Sequence, residues 1–303
     1  PDYSSAASDV YKRQDFYWTS ILTGEVAGFD KSGSRLVAAE LSPGVNPVTF
    51  SDDGRLFVAQ CFFGDGLYEI DPLGEKEPRS IRDDLGPGCG LNGMDWGPDN
   101  RLYGPRWFDN EVISVDVDTG ESRVEVSGLQ VPAAVKFNSA GELHILDTAA
   151  GTVLRRNTDG SVEVVARLET GLDNFAFDNE DNLFVSSYAD GSIVRVSGDS
   201  AEEVLPGGIS HPGGLTVLDE TLVVADIQSL RAVDIATRND VWVLRNIFRS
   251  APLGTTTSVS NDSGNLLLTS WLDNSVKVLD PKTGEIVKSI EGLGIPVSAV
   301  PFG

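Results

Sequence analysis

Cations are what this chain lacks most: 23 Lys and Arg stand against 46 Asp and Glu over 303 residues, a formal net charge of −23. Such a surface repels phosphate, so nucleic acid is not expected as a partner. Histidine occurs twice, cysteine twice and methionine once. No HExxH, GxSxG, phosphate loop or Ser–His–Asp order is present, which removes the enzyme classes those motifs announce. No apolar run approaches the ~18 residues a membrane helix needs. No segment holds a sustained helical period, and no Pro- or Ser-rich linker breaks the chain into domains.

What is present is one cassette, written seven times. It reads NPVTFSDDGRLFVAQ at 46–60, NGMDWGPDNRLYGPR at 92–106, AAVKFNSAGELHILD at 133–147 and DNFAFDNEDNLFVSS at 173–187. GGLTVLDETLVVAD at 213–226 and TTTSVSNDSGNLLLTS at 255–270 follow, and VSAVPFG at 297–303 opens one more copy. The starts lie 40 to 46 residues apart, the period of a β-propeller blade. Within each cassette an alternating strand, a tight acidic or glycine turn and a second strand follow in order. Asp-x-Thr-Gly and Lys-Thr-Gly turns then mark a third and a fourth strand. FYWTS (16–20), EVAGFD (25–30) and SRLVAAEL (34–41) read as second, third and fourth strands lacking a first, which VSAVPFG supplies. The expectation is an all-β, seven-bladed propeller of four-stranded blades, residues 15–303, whose N- and C-terminal strands share a blade. Six blades are the alternative if one end is displaced.

Ser4–Gln14, SSAASDVYKRQ, reads as a translated transposon-type sequencing adapter. Residues 1–14 are therefore expected to be a disordered artefact, with the native N-terminus and any export signal missing.

In such a ring the first strand starts, and the second returns, at one mouth of the central channel. Asn46, Asn92, Ala133, Asp173, Gly213, Thr255 and Val297 are the starting residues. Ser20, Gln60, Arg106, Asp147, Ser187, Asp226 and Ser270 are the returning ones. Trp107, Tyr188 and Trp271 come just beyond them. This polar, aromatic-rimmed ring contrasts with apolar strand interiors and marks the binding face. Asn46, Asn92, Asp173 and Asn174 offer oxygen ligands of the kind calcium takes, and Asx turn-capping is the other reading of the same residues. His144 replaces Phe57 and Phe184 at an inward strand position and reads as a core histidine. His211 precedes the fifth full cassette, where reaching the mouth is one reading and a connecting-loop histidine hydrogen-bonded to backbone the other. Cys61 and Cys89 fall on the same face of adjacent blades, where a disulfide and an oxidising compartment are one reading and two free thiols the other.

The strings NGMDWGPDNRLYG and DNFAFDNEDNLFVSS, with a recurring G-x-L-x-V-x-D cadence, resemble the SMP-30/gluconolactonase/paraoxonase-like propellers. The resemblance implies a channel-bound calcium, with Asn92 and Asp173-Asn174 at the family's ligand positions, that promotes lactone or ester hydrolysis. Asn46 stands where one branch has a glutamate, and Ala133 where both have a ligating asparagine. On this reading Asp147 or Asp226 is the general base, and Arg106, Trp107, Tyr188, His211 and Trp271 contact a small-molecule substrate. A monomer in the periplasm or secreted is expected. Two alternatives stay open: a non-catalytic ligand- or protein-binding propeller of NHL or YVTN type, and a lyase resembling the seven-bladed streptogramin-B lyases, whose histidines have no assigned counterparts here.

Overall fold

The computed structural model describes residues 16–29, 34–61, 63–86, 90–198, 200–207, 209–226, 229–245, 256–262, 264–271 and 273–301. The adapter-like segment, Thr255, Cys89 and the last two residues lie outside these.

The described strands form seven four-stranded antiparallel sheets and no helix. The repeat therefore translates into seven blades, not six. Six run outward in chain order, as in blade 5, where Leu172–Phe177, Leu183–Ser187, Ile193–Ser197 and Ser200–Leu205 follow one another. Blade 1 is the composite: Pro296–Pro301 pairs antiparallel with Phe16–Ser20, Tyr17 opposite Val300 and Trp18 opposite Ala299. Glu25–Phe29 and Arg35–Glu40 complete it.

Burial follows strand rank. Second strands such as Leu56–Gln60, Leu143–Asp147 and Leu183–Ser187 are buried at every position, because both of their faces meet a neighbouring blade. Such strands read as continuous apolar runs with small polar residues at their ends. Outermost strands such as Ser122–Ser127 and Val162–Arg167 are mostly exposed. Ring closure is anchored by Phe16, Tyr17 and Trp18, all fully buried, with Phe16 meeting Phe29 edge-on at 5.6 Å. Each such ring stabilises the fold by about 1.5–3 kcal/mol on burial.

Much of the acidity is turn chemistry. Asp116 accepts hydrogen bonds from the backbone N–H groups of Asp118 and Thr119 at 3.0 and 2.9 Å. Asp280 does the same for Lys282 and Thr283, at 2.7 and 3.2 Å. These Asx turns end in Gly120 and Gly284, whose φ of 75° and 72° only glycine adopts freely. They join third to fourth strands, and so lie on the face opposite the strand starts. His144 is buried, its Nδ1 3.0 Å from the Glu142 carbonyl and its ring edge-on to Phe177 at 5.0 Å. Burial lowers its pKa below the ordinary histidine value, as befits a neutral core residue.

Candidate functional site at the channel mouth

The strand starts are irregular in a way that serves the mouth. The first-strand ladder slips at Val45/Val48, Pro132/Ala134, Leu172/Phe175 and Pro212/Leu215. Each slip is a β-bulge, which frees the residues inside it from strand pairing and re-aims them. The freed residues include Asn46, Ala133, Asp173, Asn174 and Gly213, so the cassette starts are the bulged positions. In blade 3 the first strand shrinks to Asp95–Trp96. Asn92 sits in a turn before it, between Leu91 and Gly93 at φ 59° and 69°. Leu91 is fully buried in a left-handed conformation that a bulky side chain rarely adopts, and strain of this sort collects at functional positions.

Neighbouring starts are tied to each other. Thr19 Oγ1 donates to the Asn46 carbonyl at 2.8 Å, and Asn46 Nδ2 donates to Asn92 Oδ1 at 3.0 Å. Ser186 Oγ lies 3.2 Å from the carbonyls of both Asn174 and Gly213, and accepts from Asn174 N–H at 3.1 Å. The Asn174 side chain is turned back on its own strand, its Oδ1 accepting from Phe175 N–H at 2.8 Å.

Asp173 differs from every other acid of the ring. Among the described residues its carboxylate makes no hydrogen bond and no ion pair. Burial pushes its pKa up to about 6, against the opposing pull of His211. His211 is exposed and its ring lies 5.5 Å from that of Tyr188, tilted by 38°.

The two aspartates expected to act as general bases have another task. Asp147 accepts from the N–H groups of Gln130, Val131 and Ala150 at 2.8, 2.9 and 3.3 Å. Asp226 accepts from the N–H groups of His211 and Ser210 at 2.9 and 3.3 Å, and from Ser229 Oγ at 3.1 Å. Both are almost fully buried. They hold the loop that enters their own blade; for Asp226 that loop carries His211. Arg106, expected to contact the substrate, donates to the Leu85 carbonyl at 2.9 Å and pairs with Asp109 and Glu111 at 2.6 and 2.8 Å. Its guanidinium is spent inside blade 3.

The aromatic rim is present and broader than sequence reading found. Tyr188 and Trp271 are joined by Leu22, Phe63 and Phe108 just after the second strands of blades 1, 2 and 3, each 40–65% exposed. Trp107 is half-buried beside Phe108, its indole N–H buried without a partner. The missed signal was a large apolar residue inside a hairpin turn, where Gly, Asn or Asp is usual.

The donor set does not make a calcium cage. Calcium takes about six to eight oxygens, and no group of three His, Cys, Asp or Glu side chains suited to a metal exists among the described residues. Of the four residues expected as ligands, Asn92 and Asn174 already turn their oxygens to an amide N–H, and Asp173 is the one carboxylate. Cys61 is fully buried and disulfide-bonded, while Cys89, the other cysteine of the chain, lies outside the described residues. No described helix is long and apolar enough to cross a membrane.

No protein-family model and no curated protein matches the chain. Solved structures do, at the level of fold. Virginiamycin B lyase from Staphylococcus aureus superposes with a TM-score of 0.69 at 15% identity, covering 82% of this chain and 84% of that one. A catalytically inactive variant of that lyase, with one histidine replaced by alanine and with quinupristin, gives the same score at 14% identity. A Lactobacillus plantarum protein reaches 0.72 at 11% identity, covering 96% of this chain and all of that one. These likenesses establish a propeller shared with a lyase and with proteins of other descriptions.

Proposed function

We propose that the channel mouth is the active site of a hydrolase that opens lactones or esters by acid–base chemistry, with Asp173 as general base and His211 as its partner. The observation that carries this reading is the unpaired, half-buried carboxylate of Asp173, whose pKa near 6 suits proton transfer at neutral pH. Asp173 takes a proton from water, whose oxygen bonds to the substrate carbonyl carbon. A ring N–H of His211 donates to the leaving oxygen as its C–O bond breaks. Asn46 and Asn92 hold each other through one hydrogen bond between their side-chain amides, leaving further N–H donors for the carbonyl oxygen. The exposed rim of Phe63, Phe108, Tyr188 and Trp271 favours a substrate with an apolar body. The SMP-30/gluconolactonase resemblance supports the substrate class, while the donor set argues against a calcium step. The disulfide at Cys61 supports a periplasmic or secreted location.

The rim also favours a second reading, a propeller that binds an apolar ligand without turning it over. One experiment separates the two: a screen of aryl esters and lactones of increasing size, run with millimolar calcium and with a chelator. Turnover that is indifferent to chelator and rises with pH through about 6 is expected. Activity that needs calcium would restore the metal-dependent hydrolase. Tight binding of apolar esters without turnover would favour the binding propeller.

A further inference from the structure

Resting on the hydrolase reading above, we infer that Tyr188 is a positioning residue, whose ring sets the direction of the His211 imidazole. The backbone of His211 is already fixed. Its N–H donates to Asp226 at 2.9 Å, and Ser210 N–H donates to the same carboxylate at 3.3 Å. The second hairpin turn of blade 5 presses on this loop from the side. A Cβ on Gly191, at φ 74°, would stand 2.0 Å from the Ile209 carbonyl oxygen, so only glycine lets the two backbones meet. The turn is tied to its own blade as well. Tyr188 N–H donates to the Gly171 carbonyl at 2.9 Å, and Gly191 N–H to the Ser187 carbonyl at 3.0 Å. Tyr188 and His211 therefore start from backbones that are locked together.

The imidazole itself has no such anchor. His211 is exposed, and among the described residues its ring nitrogens make no hydrogen bond and no ion pair. His144 shows the contrast, with Nδ1 3.0 Å from the Glu142 carbonyl and its ring edge-on to Phe177. An exposed side chain with two free torsions samples several rotamers unless a contact selects one. Tyr188 supplies that contact. The ring centroids lie 5.5 Å apart at a tilt of 38°, inside the range of about 4.5–7 Å in which aromatic rings attract. Of the exposed rim aromatics Phe63, Phe108, Tyr188 and Trp271, Tyr188 is the one with a histidine against it among the described residues. His211 is near enough to Asp173 to draw its pKa downward. The direction of the imidazole therefore decides whether its N–H points toward a substrate held there. Tyr188 acts through His211, not on the reacting atoms.

The test reads the imidazole protons by NMR, since His144 and His211 are the two histidines of the chain and His211→Gln assigns one of them. Tyr188→Leu should displace the His211 ring resonances toward those of a free histidine, while the His144 resonances stay in place as the sign of an intact fold. The same variant should lower kcat/KM for an aryl ester about five- to tenfold, chiefly through kcat. Tyr188→Phe keeps the ring and should keep both the resonances and the rate. Trp271→Leu, which removes another rim aromatic, should leave the His211 resonances unmoved. Unchanged His211 resonances in Tyr188→Leu would overturn the positioning role. So would equal rate losses in the Phe and Leu variants, which would assign the effect to the hydroxyl. A wild-type protein that turns over no ester or lactone would instead remove the hydrolase reading, and the Tyr188–His211 coupling would then stand or fall on the resonances alone.

Discussion

Asp173→Asn is expected to make the protein more stable above pH 7 while removing the proposed hydrolase activity. Burial lifts the Asp173 pKa from an ordinary 3.8 to about 6, so at neutral pH the fold holds a charge it would rather neutralise. The folded state binds the Asp173 proton more tightly than the unfolded chain does. Stability from this group is thus fully present below 3.8 and is lost as pH rises through about 6. The loss amounts to at most about 3 kcal/mol, at ~1.4 kcal/mol per pKa unit. Asparagine carries no charge to desolvate and recovers most of it. Urea unfolding of both proteins at pH 8 and pH 4 checks the sign: a gain at pH 8 that shrinks toward pH 4 is the expected pattern. A carboxylate that served only to brace the fold would give the reverse, a loss at pH 8.

The second large effect distinguishes two aspartates that look alike in sequence. Asp147→Ala and Asp226→Ala each strand backbone N–H groups held by a buried carboxylate. Each should cost about 3 kcal/mol. Their effects on catalysis should diverge. Asp226 fixes the backbone of His211 at 2.9 Å, so its loss should lower kcat/KM of the proposed reaction more than about tenfold by freeing His211 from its fixed place. Asp147 fixes Gln130 and Val131, neither of which the proposed reaction uses, and the folded fraction of Asp147→Ala should turn over normally. Asp226→Asn keeps one acceptor oxygen and should recover part of the rate. Equal activity losses in the two alanine variants would remove the positioning role from Asp226.

The blade repeat was legible because every cassette repeats the same local rule: alternation, acidic turn, buried return. Even the composite blade follows from counting strands at the two ends, while its register, Tyr17 opposite Val300, is seen only in the structure. The starting residues were legible as a ring for the same reason. What each side chain does there was less so. Asp147 and Asp226 end their strands as free carboxylates would, and whether they receive backbone N–H groups depends on a loop 15 to 17 residues earlier in the chain. The Asp173–His211 relation likewise joins two blades, and no local pattern encodes it. Arg106 was readable in principle, since its partners Asp109 and Glu111 lie three and five residues away.

The most direct measurement is a carbon-13 titration of the Asp173 carboxyl, assigned by its disappearance in Asp173→Asn. An inflection near pH 6 that stays in place when millimolar calcium is added is the predicted result. An inflection near 3.8, the ordinary value, or one that calcium drives sharply downward, would contradict a metal-free general base at the mouth.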